Sequence, residues 1–219
     1  MKKKLTAILP LILILSLAAC GSSPSSDGTS AKSSSAGSVS AKSVSSESAA
    51  DSTAAGTHHA EIVIRDYGTV IVELDGDAAP ITVGNFIGLA NDKFYDGLTF
   101  HRIIDGFMIQ GGDPNGNGTG GSDKTIKGEF SENGVENPIS HEPGVISMAR
   151  SQDPDSASSQ FFITVGDATY LDGQYAAFGH VTEGMEVVEK IAKDAEPTDG
   201  NGTIPPEAQP VIETIRILD

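Results

Sequence analysis

EIVIRDYGTVIVEL, residues 61–74, is the stretch on which the fold turns. β-Branched residues crowd both halves, and Asp66 to Gly68 between them supply a tight turn, so the segment reads as a two-stranded antiparallel hairpin. Working outward, six more runs have strand character: 98–104, 107–110, 144–149, 160–165, 176–181 and 211–218. Only two segments carry a helical period. In the first, Pro80 suits an early helical position and Val83, Phe86, Ile87 and Ala90 fall on one face. In the second, Met185, Val188, Ile191 and Ala192 form the apolar stripe, with Glu186 to Lys190 and Glu189 to Lys193 as i, i+4 pairs. Eight short strands that do not alternate with helices predict a mainly β fold, a closed eight-stranded antiparallel β-barrel with two α-helices. No internal repeat of solenoid or propeller length is present.

The chain has 219 residues, one Cys, no Trp, and 14 basic against 30 acidic side chains. Residues 58–219 hold nine of the basic and 27 of the acidic groups, a formal charge of -18. A surface so acidic repels phosphate backbones and anionic headgroups, which argues against nucleic-acid binding and direct adsorption to membranes, and suggests a monomeric domain. A lone cysteine excludes an internal disulfide and any Cys-based zinc site. Residues 1–19 have a basic start, an apolar run from Leu5 to Ala19 interrupted by Pro10, and small residues before Cys20. The run is too short to span a bilayer as a stable helix, so it reads as a removable export signal. LAAC, residues 17–20, resembles the bacterial lipobox, which implies cleavage before Cys20 and lipidation of its thiol. Residues 20–57 form a Ser/Ala-rich tract that cannot bury enough apolar surface to offset its ordering entropy, and as a flexible linker would span roughly 30–37 Å. The reading is thus a signal peptide over 1–19, a lipidated Cys20 with a linker to 57, and a folded domain over 58–219 on the extracytoplasmic face of the cell membrane, which it touches through the lipid alone.

The glycine-rich region 104–127 matches two well-known patterns incompletely. Gly116, Gly118 and Gly121 satisfy G-x-G-x-x-G, but no strand-helix-strand unit surrounds them. Asp113, Asn115 and Asn117 begin like a calcium loop, yet the twelfth position is Lys124 rather than a bidentate Glu. A long surface loop accounts for these glycines. No G-x-S-x-G elbow or H-E-x-x-H helix is present, and His101, His141 and His180 read as ordinary surface or hydrogen-bonded histidines. No metal site is expected.

FHRIIDGFMIQGGD (100–113), GTGG (118–121), GVISMAR (144–150), SSQFFI (158–163) and LDGQYAAFGHV (171–181) together resemble the cyclophilin family, in family order and across nearly all of residues 60–219. The resemblance implies an eight-stranded antiparallel barrel with two helices and peptidyl-prolyl cis-trans isomerisation without a cofactor, acting on proline-containing segments of exported proteins. By the same resemblance the catalytic arginine is Arg102. The substrate-binding positions fall on Phe107, Met108, Gln110, Ala149, Gln160, Phe162 and Leu171. Arg150 and Tyr175 occupy substrate-binding positions where many eukaryotic members have Asn and His, departures that bear on substrate preference. Tyr170 stands where those members have Trp, which argues against tight cyclosporin binding.

These residue types suit the reaction. Rotating a peptide bond breaks amide resonance, with a barrier of roughly 18–20 kcal/mol, and neither makes nor breaks a bond to carbon. No nucleophile or general base is needed. The twisted amide differs in having a lone pair on nitrogen, and Arg102 offers a permanently charged donor for it. If Asp105, Gly106 and Phe107 form a three-residue loop, Arg102 pairs with Gln110 and Ile104 with Met108. A two-residue loop would put Gln110 on the opposite face. The residues alone do not choose, and the resemblance favours the first. Two other readings are a non-catalytic chaperone or adaptor of the same fold, and a solute-binding lipoprotein, for which the domain is small. For Arg102 a surface ion pair with Asp105 is the plain alternative.

Overall fold

The structure is a computed structural model and describes residues 54–219. The export signal, Cys20 and most of the expected linker lie outside these residues. The hairpin is formed by β1 (Thr57–Ile64) and β2 (Gly68–Asp75), antiparallel, with Ile64 opposite Gly68. Asp66 takes a left-handed backbone, φ 64°, to make the turn. The alternation reads out as burial: Ala60, Ile62 and Ile64 point into the core with Val70, Val72 and Leu74. β1 begins one residue inside the stretch expected as linker, and Ala54 N–H and Gly76 N–H bond to the carbonyls of Pro80 and Gly56.

The remaining strands are β3 (Thr99–Ile104), β4 (Met108–Asp113), β5 (Val145–Met148), β6 (Phe161–Thr164), β7 (Ala177–Glu183) and β8 (Ile212–Ile217). Each overlaps a run where strand character was read, with β4 running three residues and β7 two residues beyond the expected end. The helices are α1 (Pro80–Asn91) and α2 (Met185–Asp194). In α2, Lys193 pairs with Glu189 as expected, whereas Lys190 pairs with Asp194 instead of Glu186. The N-terminus of α1 has Ala79 before it and no local side-chain cap. Glu129, 2 % exposed, supplies the cap from far along the chain, accepting Ile81 N–H (3.0 Å), Thr82 N–H (2.8 Å) and the Thr82 hydroxyl (2.7 Å).

The strands form one sheet in the order β3-β4-β6-β5-β7-β2-β1-β8. It is curled but open, a half-barrel rather than the closed barrel expected. Its end strands, β3 and β8, form no ladder with each other; the chain pairs there at an isolated bridge between Thr99 and Val211, the residue before β8, with Ile212 bonded to Gly97 and Leu98. The free edge of β3 is instead followed by irregular chain: Ile103 N–H bonds to Gly202 O (2.8 Å), Ile204 N–H to His101 O (3.0 Å) and Phe100 N–H to Pro210 O (2.9 Å). Pro205, Pro206 and Pro210 lack an N–H, so this segment cannot sustain a ladder. Within the curl, Phe86 of α1 packs its ring 5.3 Å from Tyr95, 5.6 Å from Phe161 and 5.3 Å from Phe178, binding helix to sheet.

Candidate active site

The β3–β4 connection is the three-residue loop Asp105–Phe107, with Gly106 at φ 74°. The register therefore sets Arg102 opposite Gln110 and Ile104 opposite Met108. A bulge at His101 separates the Phe100–Gly111 and Arg102–Gln110 pairs, so that Phe100 and His101 are both buried while Arg102 is half-exposed on the other face. β6 runs beside β4 with Phe162 opposite Gln110, and β5 lies beyond with Ser147 opposite Phe162. Consecutive neighbours in the sheet thus present their side chains to one place.

That place is a cavity of about 210 Å³ lined by Arg102, Phe107, Met108, Gln110, Ala149, Arg150, Phe162, Leu171 and Tyr175. Nine of the ten residues singled out from sequence meet there. The tenth, Gln160, stands behind: Arg102 donates through Nη1 to Gln110 Oε1 (3.1 Å), Gln110 Nε2 donates to Gln160 Oε1 (3.0 Å), and Gln160 Nε2 donates to the Gly120 carbonyl (2.8 Å). Phe107, Met108, Phe162 and Leu171 give the cavity its apolar wall, with Met108 and Phe162 buried. The size and character suit a five-membered aliphatic ring.

Arg102 makes no ion pair among the described residues, with Asp105 or otherwise. Its Nε donates to the Asn201 carbonyl at 2.7 Å. Burial lowers its pKa, opposed by the nearby Tyr175, Tyr170 and Asp199. A guanidinium remains charged through such a shift, so Arg102 is a partly desolvated cation held by neutral acceptors. Its Cζ lies 5.9 Å from the Phe107 ring centre.

A family model for the cyclophilin type peptidyl-prolyl cis-trans isomerase matches residues 59–218, which takes in both helices and all of the sheet but the first two residues of β1. The chain belongs to the cyclophilins. Peptidyl-prolyl cis-trans isomerase B of Bacillus subtilis is 46 % identical over 130 residues, covering 59 % of this chain and 87 % of the relative. Peptidyl-prolyl cis-trans isomerase A of Dickeya dadantii is 39 % identical over 160 residues, 69 % of this chain and 80 % of the relative. A solved cyclophilin type isomerase from Cryptosporidium parvum, crystallised in the presence of the dipeptide Ala-Pro, superposes with a TM-score of 0.63 at 30 % identity, covering 74 % of this chain and 99 % of that one. The protein is a peptidyl-prolyl cis-trans isomerase.

Behind the pocket of this cyclophilin lies a hydrogen-bonded series absent from the sequence reading. Asp172 Oδ1 accepts His141 Nδ1–H (2.8 Å), and His141 Nε2 meets Ser147 Oγ (2.9 Å). Burial lowers the His141 pKa although Asp172 acts to raise it, so the ring is neutral and Nε2 accepts the Ser147 hydroxyl. Burial works against ionised Asp172, but hydrogen bonds from Ser140 and His141 keep its pKa below the ordinary value. The order Ser-His-Asp imitates a hydrolytic triad, yet Ser147 is 0 % exposed and no substrate reaches it. The series is scaffolding: the His141 ring stacks on Phe162 at 6.0 Å with a 14° tilt. His101 and His141 are therefore buried rather than superficial, and His101 has neither ring nitrogen hydrogen-bonded.

The glycine-rich loop also has a structural explanation. Buried Asp113 accepts the N–H groups of Asn115 (2.8 Å), Asn117 (3.0 Å) and Gly118 (2.5 Å), folding the loop around its carboxylate. Asn201 escaped the sequence reading because it acts through a carbonyl that every residue type possesses. The surrounding TDGNGT, residues 198–203, was a usable turn signal.

Proposed function

We propose that this isomerase is tethered outside the cytoplasm through a lipid on Cys20 and speeds X-Pro rotation in exported polypeptides, with Arg102 as its catalytic group. The observation that carries the catalytic part is a half-buried guanidinium with only neutral hydrogen-bond acceptors beside a proline-sized apolar pocket. Proline enters against Phe107, Met108, Phe162 and Leu171. As the amide twists, its nitrogen turns pyramidal and gains a lone pair, which an Arg102 N–H can meet; the planar ground state offers no such acceptor. Gln110, fixed by Gln160 and the Gly120 carbonyl, orients both Arg102 and the substrate backbone. The cavity wall excludes water, which strengthens the donor and disfavours the more polar planar amide.

The test is the cis-to-trans rate of an X-Pro peptide, followed without a coupled protease, for the full chain and Arg102→Ala. A fall of about 10² to 10³ with retained peptide binding is expected. An unaltered rate in the variant would remove Arg102 from the chemistry, and binding without acceleration by the wild type would make the domain a proline-segment chaperone. For the tether, labelled palmitate should enter the wild-type chain and not Cys20→Ser, with the variant leaving the membrane fraction.

A further inference from the structure

Arg150 stands at the junction of two cavities. It helps line the proline-sized pocket, and a second cavity of about 250 Å³ shares Gln110, Ala149 and Arg150 with the first. The two differ in the residues that line them. Phe107, Met108, Phe162, Leu171 and Tyr175 line the first alone, whereas Thr119, Ser151, Ser156 and Gln160 line the second alone. Consecutive Cα atoms of a peptide lie 3.8 Å apart, so a substrate with proline in the first cavity lays a side chain one or two residues away over the second.

The guanidinium at this junction is held on several sides. Nε and Nη2 both donate to the Gln174 carbonyl (2.9 and 2.8 Å), and Nη1 donates to the Ser151 carbonyl (2.8 Å). Its Cζ sits 5.1 Å from the Phe130 ring centre and 4.7 Å from that of Tyr175. These partners fix the orientation of the group and leave its charge uncancelled, because each is a neutral carbonyl or ring. Among the described residues no ion pair involves Arg150 or Arg102, and one Nη2 hydrogen of Arg150 has no acceptor. Nine basic groups are scattered over a domain with 27 acidic ones, yet two of the nine face the same cavity. Arg102 and Arg150 are the charged side chains that line the first cavity, Arg150 is the one that lines the second, and no acidic side chain lines either.

We infer that Arg150 is a specificity-determining residue that favours X-Pro segments carrying a carboxylate side chain one or two residues from the proline. This rests on the isomerase reading and adds the substrate class. A carboxylate over the second cavity meets a preorganised cation and flanking hydroxyls, while a lysine there meets the same cation and is repelled. After screening by water and salt, the attraction is worth about a five- to tenfold preference for Glu over Lys.

The experiment compares kcat/KM for two peptide sets, Ala-X-Ala-Pro and Ala-Ala-X-Pro, with X as Glu, Gln or Lys, using the full chain as wild type, Arg150→Gln and Arg150→Lys. A Glu/Lys ratio of about five to ten in at least one set is expected for the wild type, retained in Arg150→Lys and reduced to near one in Arg150→Gln. The ratio cancels any general loss of activity from altered packing against Phe130 and Tyr175. Should Arg150→Gln fail to fold, the wild-type ratio must still collapse toward one as salt is raised to about 1 M, where the Debye length is near 3 Å. A ratio near one in the wild type, or the same in Arg150→Gln as in the wild type, overturns the inference and leaves Arg150 as a packing residue. Absence of turnover on every peptide would instead overturn the isomerase reading.

Discussion

His101 and His141 are kept neutral by burial, which lowers both pKa values from the ordinary value of about 6.5. The unfolded chain therefore binds protons at these sites more readily than the folded one. Their contribution to stability is complete above about pH 6.5 and is lost as pH falls through the lowered folded-state values. Asp113 and Asp172, also lowered, add a second loss in the same direction below about pH 4. Thermal denaturation followed by circular dichroism should give a flat melting temperature between pH 9 and 7 and a decline that starts near 6.5. His101→Leu removes two buried nitrogens without partners, so it should match or exceed the wild type at pH 7 and show a shallower first decline. A decline of equal slope in the variant would rule His101 out as a source. The resemblance to the cyclophilins placed Arg102, Phe107 and Phe162 at the pocket, carried by FHR, GFMIQ and SQFF. Sequence missed His101, which is buried without a hydrogen-bond partner, because burial belongs to the tertiary fold; His141 is hydrogen-bonded, one of the two readings given, but nothing in the residues next to it foretells Asp172 beneath it.

The elements differ in how openly they were written. β1 and β2 announce themselves by alternation, and the periodic helices by their stripes, since local chemistry fixes both. The cap on α1 was illegible because Glu129 reaches Thr82 across 47 residues. The segment leading from α2 to β8 carries neither strand alternation nor a helical period, yet it runs beside β3, the strand that bears Arg102. Its turn is built by Asp199, whose carboxylate accepts Asn201 N–H (2.9 Å), Thr203 N–H (3.1 Å) and the Thr203 hydroxyl (2.9 Å). Gly202, at φ 86°, has no room for a Cβ, which would collide with the Ile103 carbonyl and Ile104. The turn aims the Asn201 carbonyl at Arg102 Nε. Asp199→Ala should thus lower kcat/KM by about tenfold through misplacement of the guanidinium, with a shift in melting temperature of only a few degrees. Asn201→Ala, which keeps the carbonyl, should stay within about twofold of the wild type. Steady-state rates on one X-Pro peptide check both, and equal losses in the two variants would show that the Asn201 side chain, not the turn, is what matters.

Across the whole molecule the charge of -18 over residues 58–219 sets a repulsion that compactness must overcome. Raising sodium chloride from about 10 mM to 0.5 M shortens the Debye length from about 30 Å to a few ångströms, so the melting temperature should rise by a few degrees. A falling melting temperature would mean that the surface ion pairs outweigh this repulsion. Closure of the sheet was the feature least legible in sequence, because strand count and antiparallel pattern are the same for an open and a closed barrel. The difference lies in Pro205, Pro206 and Pro210 beside β3. The order of the strands has one more consequence. The pocket residues come from β3, β4 and β6, from the residues just after β5, and from the β3–β4 and β6–β7 connections, while β1, β2 and β8 contribute none. β1 opens the sheet in chain order and lies on the half that lines none of the pocket. What precedes Ala54 can therefore be exchanged without rewriting the pocket-bearing half, and one isomerase head can be sent to different addresses by changing only that part of the chain.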